Sequence, residues 1–252
     1  MSSLSIVLAT HNEEKNLPAC LESVFSLADE ICIVDGESTD NTVSIAKKYG
    51  AKVKVADNPQ IFHINKQKAI DMATKEWVLQ LDADERITAE LASEIKKIIN
   101  SNPKENGFWV PRKNWFLGRY LMKGGQYPDY TLRLYRKGKG SLPQKDVHEQ
   151  AVVEGSLGHL INPLLHMADP SFGRYIKRFR RYTDLLGVQL RKEKKNQGIS
   201  SFLRYFIFFP CWWFLLSYGR HKGFMDGWQG FVFSLFSSLR FPISFIKSFK
   251  KF

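Results

Sequence analysis

Trp77-Val-Leu-Gln-Leu-Asp-Ala-Asp-Glu85 joins a short apolar run directly to three acidic residues. An apolar run of this length is typical of a strand buried on both faces of a sheet. Asp82 and Asp84 are one residue apart at its end, so both carboxylates can point the same way. Two converging carboxylates repel each other unless a hard divalent cation such as Mg²⁺ or Mn²⁺ is bound between them. Taken alone, a pair of this kind is more often a solvated acidic turn.

Strands and helices alternate on the amino-terminal side of this stretch. The pattern predicts strands over 4–9, 31–34 and 53–56, and helices after Asn12, up to Tyr49, over 61–74 and over 89–99. We expect Asn12 to cap the first of these helices and Gly50 to end the second. Such alternation predicts an α/β fold with a mostly parallel sheet covered by helices on both faces.

Three polar loops lie where the predicted strands end: 10–13, 35–40 and 82–84. Ligands of open α/β sheets bind outside the carboxyl ends of the strands, so we expect a binding site there. Neither the glycine pattern of a dinucleotide-binding turn nor that of a P-loop is present. Beyond residue 105 the periodicity weakens, and short strands are predicted near 108–110, 131–135 and 150–153.

Charge divides the chain after Asp169. Residues 1–170 carry 21 Lys and Arg against 22 Asp and Glu, whereas residues 171–252 carry 16 against three. We therefore expect two domains, 1–169 and 170–252. The second holds 22 of the 34 aromatic residues and begins with a helical stripe of Tyr175, Phe179, Tyr182, Leu186 and Leu190.

The apolar run Tyr205–Leu216 is short for a membrane-spanning helix, and Pro210 is expected to interrupt it. Basic, aromatic segments of this kind are typical of helices that lie in the headgroup region of an anionic membrane. An ordinary core remains the alternative. Nucleic-acid binding is disfavoured because the basic block precedes the aromatic block instead of mixing with it. The three cysteines form no paired spacing, which fits a reducing compartment.

Three motifs in fixed order carry a family resemblance: Thr10-His-Asn-Glu13, Asp35-Gly-Glu-Ser-Thr-Asp40 and Leu81-Asp-Ala-Asp-Glu85. They resemble the family 2 glycosyltransferases of GT-A fold. Gly124-Gly-Gln-Tyr-Pro-Asp129, Val147-His-Glu149 and Asn162-Pro-Leu-Leu-His166 are similar to motifs of the bacterial lipopolysaccharide-core β-glucosyltransferases. The resemblance implies a Rossmann-like GT-A domain, followed here by a basic, aromatic-rich helical region that associates with membranes.

The resemblance also implies roles for individual residues. The nucleotide pocket would be lined by Thr10, Asn12 and Glu13. Asp35 would read the base, Lys66 or Lys68 would approach the donor, and Asp82 would contact ribose or metal. Asp84 would hold the Mg²⁺ or Mn²⁺ bound to the diphosphate, with His148 or His166 as a further ligand; each histidine can instead be structural.

An acceptor hydroxyl must lose its proton during transfer, so a carboxylate base is required. Glu149 is favoured because it lies near the position where the family places its base, and Asp129 is the second candidate. Asp129 can instead be a turn residue, and Glu149 can instead pair with Arg133 or Arg136. A single displacement inverts the anomeric centre, as is usual in this family.

The resemblance therefore implies an inverting hexosyltransferase, with glucose as the expected sugar. Its donor would be a UDP-sugar or another nucleoside-diphosphate sugar, and its acceptor an amphiphilic glycan or lipid. The expected location is the cytoplasmic face of the inner membrane, peripheral or interfacial, without a nucleic-acid partner. A polyprenyl-phosphate sugar synthase and a non-catalytic basic membrane- or nucleic-acid-binding protein remain open alternatives. An aspartyl phosphatase is disfavoured because its Asp pair follows the first strand.

Overall fold

A computed structural model of the chain describes residues 2–59, 61–143, 150–195 and 198–249. The chain forms two compact units. The first comprises Met1–Arg112 and Asp129–His166, and the second comprises Lys113–Pro128 and Met167–Phe252. Residues 113–128 thus group with the carboxyl-terminal helices, although they precede them by more than 40 residues. The domain boundary expected after Asp169 stays a prediction.

Twelve strands are found in the described residues. They are β1 (Leu4–Thr10), β2 (Glu30–Asp35), β3 (Lys52–Val55), β4 (Trp77–Leu81), β5 (Glu85–Ile87), β6 (Gly107–Phe116), β7 (Arg119–Tyr120), β8 (Asp129–Arg136), β9 (Gly140–Ser141), β10 (Val152–Val153), β11 (Leu157–His159) and β12 (Leu164–Asp169). The α-helices are α1 (Leu17–Val24), α2 (Thr42–Lys48), α3 (His63–Met72), α4 (Ala89–Asn100), α5 (Phe172–Lys192), α6 (Gly198–Leu203), α7 (Phe209–Phe214) and α8 (Gly227–Ser248).

The strands of the first unit follow the order β3-β2-β1-β4-β8-β6. The first four are parallel, and β8 joins β4 and β6 in antiparallel pairing. Thr10 pairs with Asp35, and Leu8 pairs with Leu81. This register brings the carboxyl ends of β1, β2 and β4 side by side, so the polar loops that follow them are neighbours. The GT-A-type sheet expected from the sequence is confirmed.

Both faces of the sheet carry buried apolar residues. Ile6 and Leu8 of β1 belong to one core, together with residues of α1 and α4. Val7, between them, belongs to a second core with residues of α3. Because side chains alternate along a strand, β1 must be covered on both faces. This requirement explains its nearly continuous apolar sequence.

In the second unit, α5 packs against α8 through small residues. Thr183 and Gly187 of α5 are buried, and a Cβ added at Gly187 would lie 3.0 Å from Lys247 Cβ. The expected stripe is therefore wrong at two positions, since Tyr182 and Leu186 are 45% and 37% exposed. The absence of a bulky side chain at 187 permits the close helix contact, which turns the larger residues outward.

The segment 198–220 is helical throughout, because α6 and α7 alternate with the π-helical turns Arg204–Phe208 and Leu215–Arg220. Pro210, expected to interrupt this region, lies in the first turn of α7 directly after a π-helical turn. A wide turn of this kind accommodates a residue that has no N–H to donate. The segments Gly198–Arg220 and Gly223–Ser248 are long and apolar enough to cross a membrane, by length and composition alone.

Asp226 fixes the start of α8 within the second unit. Its carboxylate is 2% exposed and accepts hydrogen bonds from the backbone N–H groups of Met122 (3.0 Å) and Lys123 (2.7 Å). Arg119 lies 3.6 Å from its other oxygen. These contacts explain why residues 113–128 group with the carboxyl-terminal helices.

Candidate active site

Asp35 joins the loops that follow β1 and β2. Its carboxylate, 1% exposed, accepts hydrogen bonds from Thr10 Oγ1 (2.9 Å), Ser38 N (2.8 Å) and Ser38 Oγ (2.6 Å). These bonds hold the end of β2 against the end of β1. Reading of a base by Asp35 stays a prediction.

Asn12 connects the same two loops and does not cap a helix. Its side-chain oxygen accepts a hydrogen bond from Thr39 N at 2.9 Å, and its own N–H donates to Ser38 Oγ at 2.8 Å. The residue has a φ of 54°, a conformation that asparagine tolerates better than most residues. The expected cap is therefore wrong, and α1 begins only at Leu17. Glu13 lies beside this junction, where its N–H donates to Thr42 Oγ1 at 2.8 Å.

Asp82 lies between two basic side chains at the end of β4. Lys66 of α3 pairs with Oδ1, and Arg133 of β8 pairs with Oδ2 at 2.7 Å. Both basic side chains are 9% exposed, and that of Asp82 is 27% exposed. Partial burial alone would raise the pKa of Asp82, but Lys66 and Arg133 outweigh it and hold the pKa well below its usual range. Asp82 is therefore a permanent carboxylate with its charge compensated.

Glu85 belongs to the same charge cluster as Asp82, Lys66 and Arg133. The side chain is fully buried and accepts hydrogen bonds from Asp82 N (2.9 Å) and Arg133 Nη2 (2.6 Å). Burial opposes the charge of Arg133, but Glu85 and Asp82 more than offset this effect and raise its pKa. Arg133 also donates to Gln80 at 2.6 Å, which fixes the plane of the guanidinium group. The β4 loop is thus held rigidly by charge-assisted hydrogen bonds.

Arg112 links Glu85 to Asp129. Its Nη1 is 3.5 Å from Glu85 Oε1, and its Nε and Nη2 donate to Asp129 Oδ2 at 3.0 and 2.7 Å. Asp129 opens β8 and its side chain is 36% exposed. One of the two candidate bases is therefore part of the same charge network as Asp82.

Asp84 and His166 form a pair of metal-binding residue types near the end of β4. His166 Nε2 lies 3.6 Å from Asp84 Oδ1, and each side chain is 15% exposed. Among the described residues, no three His, Cys, Asp or Glu side chains converge to hold an ion by themselves. Mg²⁺ sites that hold phosphates commonly use one or two protein ligands. A carboxylate and an imidazole therefore fit an ion whose other ligands are phosphate oxygens.

The sequence left open whether Lys66 or Lys68 belongs to the site, and the structure places their ammonium groups against different residues. Lys66 pairs with Asp82, whereas Lys68 Nζ lies 3.2 Å from Asp57 and donates to Asn65 Oδ1 at 3.0 Å. Lys66 is therefore the lysine that contacts Asp82. His148 and Glu149 lie outside the described residues, and their roles stay predictions.

Arg133 and Glu85 were not anticipated as members of the site. A signal for one of them was present: Arg133 stands within the apolar run Thr131-Leu-Arg-Leu-Tyr135. A charged residue in a buried strand requires a buried partner. The sequence alone does not identify that partner, because Glu85 and Arg133 are 48 residues apart.

Known proteins resemble this chain over most of its length. A profile described as Glycosyl transferase family 2 matches residues 5–151. A lipopolysaccharide core biosynthesis glycosyltransferase of Rhizobium meliloti, LpsC, is 30% identical over 236 residues, covering 91% of this chain and 85% of its own length. An uncharacterized glycosyltransferase of Rickettsia typhi is 29% identical over 254 residues, covering 96% of this chain and 85% of its own length.

The crystal structure of S. aureus TarS is similar in fold, with a TM-score of 0.50 and 18% sequence identity. The match covers 88% of this chain and 45% of the TarS chain, so this chain matches less than half the length of that protein. At this identity the likeness concerns the fold alone.

Proposed function

The chain belongs to glycosyl transferase family 2 and is a glycosyltransferase of GT-A fold, and from this premise we propose that it transfers a hexose from a nucleoside-diphosphate sugar with inversion of the anomeric centre. The acceptor we propose is a lipopolysaccharide-core or other lipid-linked glycan at the cytoplasmic face of the inner membrane. Glucose is the sugar to test first, with UDP as the carrier.

The charge cluster at the end of β4 carries this proposal. Breaking a glycosidic bond to a diphosphate develops negative charge on the leaving group, which fixed positive charges stabilise. Lys66 and Arg133 are buried cations at the carboxyl end of the parallel strands, where ligands of such sheets bind. Since Asp82 and Glu85 hold both cations in place, little reorganisation is needed when the donor arrives.

Asp84 and His166 are the residues proposed to hold Mg²⁺ or Mn²⁺. Such an ion would supply Lewis-acid stabilisation to the oxygens of the departing diphosphate. The proximity of carboxylate and imidazole supports this assignment. Asp82 already compensates two basic side chains. It is therefore better suited to orient Lys66 and Arg133, and to accept a hydrogen bond from a ribose hydroxyl, than to hold the metal.

Glu149 is proposed as the base that takes the proton of the acceptor hydroxyl. The alternative, Asp129, already accepts two hydrogen bonds from Arg112. A carboxylate stabilised in this way takes a proton less readily. Asp129 is then a structural partner that keeps Arg112 beside Glu85.

The acceptor class rests on two observations. LpsC, 30% identical to this chain, is named for lipopolysaccharide core biosynthesis. The second unit contains two segments apolar enough to enter a membrane, and the sequence after residue 170 is strongly basic. An amphiphilic acceptor presented at a membrane is compatible with both.

Donor binding is the direct test. The melting temperature of the intact chain in detergent is measured with UDP-, GDP- and dTDP-sugars, each with and without Mn²⁺ or Mg²⁺. A metal-dependent increase for one nucleotide is expected, because a ligand stabilises the state that binds it. If no nucleotide sugar shifts the melting temperature under any of these conditions, the proposed donor class is wrong.

Asp84→Asn tests the metal pair, and Asp71→Asn, an exposed carboxylate on α3, is its matched control. We expect the first to lower transfer about 100-fold or more and to abolish the metal-dependent shift. The control should behave like the unmodified protein. Equal activity of both variants would remove Asp84 from the metal site.

Transfer to polyprenyl phosphate instead of a core oligosaccharide would favour the synthase alternative.

A further inference from the structure

Helix α5 carries a large excess of positive charge. Seven of its 21 residues are Lys or Arg, and its single acidic residue is Asp184. Asp184 is already paired with Lys247 of α8 at 2.8 Å. The single acid of the helix is therefore engaged with another helix, and it does not compensate the basic side chains of α5.

The helix has two distinct faces. Its buried residues are Tyr175, Thr183, Gly187 and Leu190, and the close contact of Gly187 with Ser244 and Lys247 places this face against α8. The opposite face follows a stripe at helical spacing and borders an open groove of about 960 Å³. The groove is lined by Gly173, Ile176, Lys177, Arg180, Arg181, Asp184, Leu185 and Val188.

Three cations on this outward face have no acidic partner in the described part of the chain. The side chains of Lys177, Arg180 and Arg181 are exposed and form no ion pair there. Neighbouring Arg178, by contrast, pairs with Asp169. Since all three lie within about one helical turn, their positive potentials add at one place.

Apolar side chains lie beside these cations. Leu185 is 50% exposed, and Ile176 and Val188 line the same groove. A ligand that fits this surface combines negative charge with hydrocarbon. A nucleic acid would instead use stacking aromatic side chains among the cations, and the groove lining contains none.

We propose that the outward face of α5 binds the phosphate-bearing headgroups of anionic lipids in a bilayer. Lys177, Arg180 and Arg181 contact the phosphates, while Leu185 and Val188 contact the upper part of the acyl chains. The long aliphatic stems of the basic residues permit this division, because they can lie along apolar surface with the charge at the water boundary.

A bilayer is favoured over a soluble phosphate compound by a second feature of the same unit. No residue of the apolar window of Gly198–Arg220 is fully buried in the structure, although Tyr205, Phe209 and Trp213 are half-buried against α8. Its exposed apolar residues include Leu203, Ile207, Phe208, Trp212 and Leu215, each between 48% and 66% exposed. A surface of this kind is stable in water only when something apolar covers it.

This inference deepens the membrane location in the proposed function and is independent of donor binding. The test compares the intact chain with a variant carrying Lys177→Gln, Arg180→Gln and Arg181→Gln. The matched control carries Lys47→Gln, Lys48→Gln and Lys97→Gln, which removes the same charge from exposed positions of α2 and α4. Co-sedimentation is measured with vesicles of phosphatidylcholine alone or mixed with phosphatidylglycerol.

The α5 variant should bind the anionic vesicles about 100-fold more weakly, since each basic residue near an anionic surface contributes roughly a fivefold factor. Its binding to phosphatidylcholine vesicles should be unchanged, because the apolar segment 198–220 is intact. The control should match the unmodified protein on both vesicles. Equal binding of the α5 variant to anionic vesicles, or no binding of the unmodified chain to either vesicle, would overturn the proposal.

Two additional measurements distinguish a lipid surface from soluble phosphates and from nucleic acid. Competition by soluble glycerol phosphate at millimolar concentration, or tighter binding to DNA than to vesicles, would also overturn the assignment to a bilayer. The donor-dependent melting shift is measured on the α5 variant in parallel. A retained shift demonstrates that the variant is folded and that any loss concerns lipid binding and not the donor site.

Discussion

The two units bury their aromatic residues to very different extents. Trp77 of the first unit is completely buried on strand β4, whereas Trp212 and Trp228 of the second are 54% and 60% exposed. Charges differ in the same sense, because the first unit buries Glu85 and Arg133 as a pair, whereas most of the cations of α5 are exposed. The first unit therefore encloses a tryptophan and an ion pair, whereas the second leaves large apolar and cationic side chains exposed.

Replacing Arg133 should lower the stability of the first unit more than any other change considered below. Arg133→Met leaves Glu85 buried without its main cationic partner and Asp82 with one cation fewer, which costs about 3–5 kcal/mol. We expect a melting temperature lower by about 10 °C and loss of transfer. Lys139→Gln, shortly after the same strand, is the control; it and its partner Glu154 are 49% and 78% exposed, so about 1 kcal/mol or less is expected. Similar effects of the two changes would contradict a stabilising buried network.

Lowering the pH should destabilise the first unit, because Glu30 becomes protonated. Burial alone would raise its pKa, but hydrogen bonds from Lys52, Ser5 and Thr74 lower the pKa to about 2. A carboxyl with a lowered pKa stabilises the fold above its unfolded value of 4.5, and this contribution is lost as the pH falls towards 2. Glu30→Gln should therefore cost about 3 kcal/mol at neutral pH and flatten the acid limb of a stability-versus-pH curve. Glu22→Gln, an exposed change on α1, should leave that limb unaltered.

Close packing of the second unit can be broken at one glycine. Gly187→Leu would force its side chain against Ser244 and Lys247 of α8, at a cost of about 1–3 kcal/mol. At Gly173, on the same helix, an added Cβ meets no atom within 4 Å, so Gly173→Leu should be neutral or slightly stabilising. Thermal unfolding in detergent measures both. A smaller effect at 187 than at 173 would be incompatible with the helix contact described.

Helix caps offer the finest comparison of the two units. Thr88 accepts a hydrogen bond from Leu91 N at 3.1 Å at the start of α4, and Ser171 accepts one from Arg174 N at 3.3 Å at the start of α5. Replacement of either by alanine should cost about 1 kcal/mol, with the shorter bond at Thr88 giving the larger loss. Each loss is measured by thermal unfolding. A larger loss at Ser171 would indicate that α5 depends more on its cap than on its packing.

The sequence predicts β1, β4 and α4 almost to the residue, because short continuous apolar runs favour buried strands and apolar residues at helical spacing favour a helix. It also predicts that the loops after β1, β2 and β4 are neighbours, which the pairing of Thr10 with Asp35 confirms. It does not predict Arg133 and Glu85 as partners, since their contact depends on how β8 pairs with β4. The inward face of α5 escapes prediction for a similar reason: Thr183 and Gly187 face α8 because they are small, whereas periodicity favours the larger Tyr182 and Leu186.

The cysteines have a practical consequence. Cys20 and Cys32 are buried, and burial raises the pKa of both thiols, that of Cys32 to about 11. Cys211 is exposed on the helical segment 198–220. Thiol-directed probes react with accessible thiolates, so this position should take up a fluorophore or spin label in the unmodified chain. The proposed contact of that segment with a bilayer can therefore be tested with a reporter at Cys211 without engineering an attachment point.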